Sequence, residues 1–171
     1  LGYAMAEAFA AAGAAVMLGA RAQAMVEQAA NTLEQQGYRA GGFPVDVGRR
    51  DQVEALAEET VRMFGKVDVW VNNAGIAGPY GPTMAMAPAA VEQVVNTNIL
   101  GTYFGSHAAM RRFLDQGSGK VINLLGHGWK GPVPWQNAYS ASKAWVRSFT
   151  MALAEETKQS GAGGIGIYAF N

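Results

Sequence analysis

"VDVWVNNAG", Val67 to Gly75, puts a run of β-branched and aromatic residues directly before two asparagines and a glycine. The apolar run reads as a buried strand and "NNAG" as the turn that ends it. On either side the hydrophobic period switches between that of a helix and that of a strand. Upstream, "GYAMAEAFAAAG" reads as a helix closed by Gly13, "AAVMLGA" as a strand, and "AQAMVEQAANTLEQQG" as a helix ending at Gly37. "YRAGGFPVDV" is a short strand leading into a turn, and "RRDQVEALAEETVRMFG" is a helix stopped by Gly65. Downstream come a Gly/Pro-rich loop, one long helix from about Ala89 to Phe113, the strand "GKVINLL" and the loop "GHGWKGPVPWQN". A helix from about Ala138 to Lys158 and a last strand, "IGIYAF", complete the chain.

Strands alternating with helices indicate βαβ units. The expectation is an α/β fold: a doubly wound parallel sheet with helices on both faces. In such sheets the site lies beyond the carboxyl ends of the strands. "NNAG", "NLLGHG" (Asn123 to Gly128) and Asp46 after "FPV" all fall at such ends.

Bulk properties narrow the function. The 171 residues read as one domain. Thirteen basic residues balance thirteen acidic ones with no basic run, so neither nucleic acid nor an anionic membrane is expected as partner. Cysteine is absent, which removes disulfides and thiolate metal sites and fits a reducing cytoplasm. His107 and His127 stand far apart in sequence, so no histidine metal centre is expected. The longest uncharged stretch, Ala8 to Ala20, is short of the ~20 apolar residues that span a bilayer. No signal peptide is visible, and the opening on Leu1 suggests a piece of a longer protein.

"YSASK", Tyr139 to Lys143, places a phenol and an ammonium one helical turn apart, on one face. Taken alone, this also describes two amphipathic side chains on an ordinary helix surface. The single G-x-G-x-x-G, "GAGGIG" at Gly161 to Gly166, follows a helix and leads into a strand. A dinucleotide phosphate loop needs the opposite order, so this stretch reads as a connector.

"NNAG" after a strand, "NTNILG" on the next helix and "YSASK" on the one after resemble, in order and spacing, the short-chain dehydrogenase/reductase family. The resemblance covers essentially the whole chain. It implies a Rossmann-type dinucleotide-binding domain over residues 1–171, incomplete at both ends. It also implies hydride transfer between a nicotinamide cofactor and a small alcohol or carbonyl substrate. The family's first strand, absent here, lies centrally between the strands at "AAVMLGA" and "VDVWV". Its absence would leave two half-sheets with unpaired edges.

The family's residues carry over as follows. Tyr139 is implied as general acid/base and Lys143 as the charge that favours its phenolate. By itself a phenol deprotonates only near pH ~10. Asn98 in "NTNILG" is implied to hold, through its backbone, a water linking Lys143 to solvent; alternatively it satisfies a helix backbone defect. Gly2 closes the phosphate loop, Asp46 and Val47 meet the adenine, and Asn73, Ala74 and Gly75 pass beside the ribose. Asn72 reads as a brace between strands, and Asp46 equally as a turn or capping residue. Arg21 follows the second strand, and Ala20 stands where NAD-specific relatives carry an acid, so NADP(H) is favoured over NAD(H).

One departure is sharp. The family's catalytic serine lies thirteen residues before the tyrosine, and that position is Gly126. Glycine donates no side-chain hydrogen bond. His127 is a candidate substitute donor or a solvent-facing loop histidine, and Trp129 a candidate substrate wall. Two readings stay open: an NADP-linked cytoplasmic oxidoreductase, and a nucleotide-binding protein of the same fold whose catalysis is impaired. A nucleotide-sugar epimerase is disfavoured by "NNAG" and by the lack of a second-domain insertion. The resemblance further implies a homodimer or homotetramer, paired through the long helices.

Overall fold

The computed structural model describes all residues, Leu1–Asn171, as two compact units, Leu1–Val67 and Asp68–Asn171. In the first, α1 (Gly2–Ala11), β1 (Val16–Ala20), α2 (Gln23–Gln35), β2 (Ala40–Pro44) and α3 (Arg50–Phe64) alternate. β1 and β2 pair in parallel, Val16 opposite Ala40 and Ala20 opposite Pro44. Their core sets three alanines, Ala6, Ala30 and Ala40, around buried Leu33, with Val16, Leu18 and Tyr38 against them. Small side chains let backbones approach. A Cβ on Gly42 would lie 2.6 Å from the Val26 carbonyl oxygen, so glycine is what lets α2 lie this close to β2.

The second unit holds β3 (Val69–Asn72), a 3₁₀ turn (Thr83–Ala85), α4 (Pro88–Val94), a π-helical segment (Val95–Leu100) and α5 (Gly101–Gln116). β4 (Gly119–Leu124), α6 (Asn137–Gln159) and β5 (Ile165–Phe170) follow. β3, β4 and β5 form a parallel sheet with β4 in the middle, Asn72 opposite Asn123 and Asn123 opposite Ala169. Val94, Ala108, Ala109, Phe113, Val121 and Val146 are buried as its apolar core.

The parallel, Rossmann-like α/β architecture follows the sequence expectation, and so do the two separate sheets, one of two strands and one of three. In "GAGGIG", Gly161–Gly164 lie in turns after α6 and Ile165 and Gly166 begin β5, so the stretch leads from a helix into a strand as expected. One element needs correction. The long helix expected from about Ala89 to Phe113 is not regular: it runs from Pro88 to Gln116 with a π turn at "VNTNIL". A π turn adds a residue between bonded backbone groups. It recurs at functional positions, and hydrophobic periodicity does not reveal it.

Candidate active site

The end of β4 and the first turns of α6 meet at Lys143. Its ammonium is buried and donates a 3.0 Å hydrogen bond to the Leu124 carbonyl at the end of β4. It also lies 5.8 Å from the centre of the Tyr139 ring, as the helical spacing requires. Burial pushes the Lys143 ammonium below its usual pKa, because removal from water disfavours the charged form. Tyr139 is partly buried, and its hydroxyl makes no hydrogen bond within the protein. The helix thus presents a braced ammonium beside an uncommitted phenol.

Asn98, in the π turn, is fully buried with its side chain saturated. Its Oδ1 accepts from the Ile76 amide at 2.9 Å, and its Nδ2 donates to the Ile76 carbonyl at 3.0 Å and to Ser142 Oγ at 2.9 Å. Ser142 in turn donates to the Tyr139 carbonyl at 2.7 Å. The side chain therefore clamps the segment after "NNAG" to the first turn of α6. The Asn98 backbone carbonyl accepts from Thr102 Oγ1 at 2.8 Å.

Beneath this lies a second buried network. Trp70 Nε1 donates to Asn72 Oδ1 at 2.9 Å, and Asn72 Nδ2 donates to Ser106 Oγ at 3.0 Å and Asn123 Oδ1 at 2.8 Å. Asn123 Nδ2 donates to Thr150 Oγ1 at 2.9 Å. Asn72 is indeed a brace, joining β3 to β4 and α5. No buried side-chain polar atom is left unpaired.

Sequence reasoning missed Ser142 and the Leu124 carbonyl. The serine was signalled only by its place between Tyr139 and Lys143, where the small residues read as filler. A backbone carbonyl leaves no mark in a sequence.

The loop from Gly126 to Gln136 is a looser structure. Gly126 carries no positive φ, and a Cβ there would overlap the Tyr139 hydroxyl. His127 is exposed. Trp129 has Lys130 4.9 Å and Arg147 5.6 Å from its ring, cation–π contacts that tie the loop to α6. Pro82, Thr83, Val133, Pro134 and Trp135 line, with Ser140, Ala141 and Ala144 of α6, a mostly apolar pocket of about 720 Å³.

In the first unit, Gly2 opens α1, and Ala20 and Arg21 stand exposed at the carboxyl end of β1. Beside them the Val45 amide bonds the Ala20 carbonyl at 2.9 Å, which brings Asp46 and half-buried Val47 to the same edge. Asp46 takes part in a turn: its Oδ1 accepts from the Gly48 amide at 3.0 Å, while its own amide donates to Gln52 Oε1 at 2.8 Å. That turn occupies one carboxylate oxygen. In the second unit Ala74 and Gly75 are exposed and Asn73 half-buried. Gly75 lies beside both braces, since a Cβ on it would be 3.5 Å from Asn98 Oδ1 and from Lys143 Nζ.

The family model described as short chain dehydrogenase matches residues 1–170, and the chain belongs to that family. Among curated relatives, a diacetyl reductase [(S)-acetoin forming] of Staphylococcus epidermidis is 34% identical over 140 residues, which are 81% of this chain and 54% of that protein. A 3beta-hydroxysteroid dehydrogenase of Eggerthella lenta is 34% identical over 158 residues, 91% of this chain and 60% of that one. This chain thus spans little more than half the length of these relatives. Among solved structures, an actinorhodin polyketide ketoreductase variant with NADPH superposes with a TM-score of 0.90 at 31% identity, covering 98% of this chain and 63% of that one. A gluconate 5-dehydrogenase from Burkholderia cenocepacia, in complex with NADP and tartrate, gives 0.87 at 27% identity, covering 99% and 66%.

Proposed function

We propose that the full-length protein is an oxidoreductase interconverting an alcohol and a carbonyl, with NADP(H) as its cofactor. The observation that carries this reading is the Tyr139–Lys143 pair: a buried, carbonyl-anchored ammonium beside a phenol whose hydroxyl is bonded to nothing else. A surface pair would leave both side chains in water, and Lys143 is only 5% exposed.

Each unit, taken by itself, offers residues suited to part of a nicotinamide dinucleotide. In the first unit Arg21 and Asp46 are exposed and Gly2 and Val47 half-buried, all at or just beyond strand or helix ends, and Arg21 has no carboxylate partner. In the second, Gly75 leaves bare backbone beside Lys143, next to Asn73 and Ala74. The cofactor, when bound, supplies or accepts the hydride. Tyr139 passes its proton to the carbonyl oxygen in reduction and recovers it in oxidation, and the Lys143 charge stabilises the phenolate between those events. Asn98 acts from behind, holding α6 against the segment after "NNAG". His127 and Trp129 face the substrate from the loop. Arg21 favours the 2′-phosphate. A charge-assisted contact of about 1.5 kcal/mol or more would give NADPH at least a tenfold tighter Kd than NADH.

Incubation of full-length protein with NADPH and a panel of carbonyl compounds tests the reading: NADPH oxidation is expected, and inertness across the panel refutes it. Gly126 favours a second reading, a nucleotide-binding protein with impaired catalysis, which predicts cofactor binding without turnover. Related to both is assembly. Tyr103 is 45% exposed on α5 and packs with Phe149, which stacks on Trp145 at 4.9 Å. This aromatic surface on α5 and α6 supports a homodimer or homotetramer.

A further inference from the structure

Gly126 is open to two explanations, and the backbone decides between them. Glycine is required where φ is positive, and Gly126 is not among the positive-φ residues, so any side chain suits its backbone. The constraint is space. A Cβ at 126 would overlap Tyr139 Oη, whereas Tyr139 Cζ and Lys143 Cε would each be at an ordinary 3.4 Å. The obstacle is therefore a single atom, the phenolic oxygen. Two residues on, a Cβ at Gly128 would run into Ser140, with the Ser140 Cα at 2.8 Å, so the loop is pressed onto the first turn of α6 at both points.

We propose that Gly126 is a positioning residue: by lacking a Cβ it lets the Tyr139 hydroxyl settle against the loop, in space that any side chain at 126 would fill. Gly126 is then not the remnant of a lost serine. The proton-donor point is built around it, and a serine restored there displaces the tyrosine it was meant to assist. This rests on the oxidoreductase reading for its effect on rate, but not for its effect on packing. With α6 held through Lys143 to Leu124 and through Ser142 to Asn98, the phenol yields by turning about its own side-chain bonds, which carries the hydroxyl away from its place. Since a misplacement of ~1 Å at a reacting group can cost ~100-fold, a Cβ at 126 should lower kcat by about 10- to 100-fold.

The test uses full-length protein with Gly126→Ala and Gly126→Ser, each in the Tyr139 and the Tyr139→Phe background. Ala and Ser share the Cβ, and only Ser restores a hydroxyl. The expected result is that both lower kcat about equally, with KM for the carbonyl and Kd for NADPH within threefold of wild type. In urea both should lower the unfolding midpoint when Tyr139 is present, and much less in Tyr139→Phe, which lacks the overlapping oxygen. A rise in kcat with Ser while Ala is neutral overturns the proposal in favour of a missing serine. Unaltered kcat in both variants also overturns it. Should wild type reduce no carbonyl, the oxidoreductase reading falls separately and the double-mutant cycle decides alone: coupling between 126 and 139 upholds the positioning role, and none overturns it.

Discussion

The buried braces of the second unit and the loop from Gly126 to Gln136 meet at Tyr139, and they are built on opposite terms. In the braces Asn98 bonds Ser142, and half-buried Asn72 joins Ser106 and Asn123, which bonds Thr150, all at about 3 Å and, Asn72 apart, between buried side chains. In the loop the backbone bonds Trp129 to Gly126, Gly131 to Gly128 and Gln136 to Val133 are all 3.2 Å, and His127, Lys130 and Trp135 are exposed. A saturated buried network admits one arrangement, because each lost partner leaves a desolvated polar group. The braces fix where Lys143 and the backbone of Tyr139 lie. The loop carries no such network of buried side chains, and it is the loop that holds Gly126.

The largest effect is expected at the meeting point. Tyr139→Phe keeps the ring and the α6 packing and removes only the hydroxyl. Carbonyl reduction should fall by about 10²- to 10⁴-fold while NADPH affinity holds. Steady-state rates with a cofactor titration check this. Activity indifferent to the substitution would mean that the braces hold Lys143 for some purpose other than proton transfer.

Next in size is a stability contrast between the regions. Asn123→Ala removes one partner each of Asn72 and Thr150, at a position that is itself fully buried. A cost of about 2–4 kcal/mol is expected. His127→Ala, in the exposed loop, should change stability by less than ~0.5 kcal/mol. Urea midpoints of the two variants give the comparison directly, and similar losses in both would erase the distinction.

The same contrast separates what sequence made legible from what it did not. Periodicity placed every strand, because a buried strand and an amphipathic helix write different repeats. The one-turn spacing of Tyr139 and Lys143 was legible from the sequence, whereas their reading as a proton-transfer pair, the bracing reading of Asn72 and the departure at Gly126 came with the family resemblance. The π turn at Asn98, the bond from Lys143 to a carbonyl and the linking role of Ser142 were not. Each depends on where a backbone group or a small side chain ends up in three dimensions. The fit of the Tyr139 hydroxyl over Gly126 belongs with these, since sequence showed a missing donor and the structure shows a filled space.

A smaller effect should appear across pH. Burial lowers the Lys143 pKa, so in that range the unfolded chain binds more protons than the folded one. Stability from this group therefore rises with pH, from the lowered folded value up to the ordinary lysine value of 10.5. Lys143→Met lacks that rise. The difference in unfolding free energy between wild type and Lys143→Met should shift in favour of wild type as pH increases through the window. Urea titrations at stepped pH measure it, and a flat difference would place the ammonium in a more solvated setting than its exposure indicates.

The smallest effect is expected at Trp135, the one non-glycine residue with positive φ, at 68°. A left-handed conformation at such a residue costs about 1–2 kcal/mol. The indole is 52% exposed, so the burial it contributes is of similar size and opposite sign. Its carbonyl accepts from the Gly81 amide at 2.8 Å, a backbone bond that a glycine at 135 would keep. Trp135→Gly should therefore leave stability within about 1 kcal/mol of wild type. The indole also walls the apolar pocket beside Ser140 and Ala141, which Tyr139 and Lys143 do not line, and the substitution tests whether that pocket takes the apolar part of a substrate. KM for apolar carbonyl substrates should rise severalfold in Trp135→Gly, with kcat little altered, because Tyr139 and Lys143 are untouched. A loss of more than ~2 kcal/mol with KM unchanged would make Trp135 a packing residue, and would give the loop some of the rigidity now assigned to the braces alone.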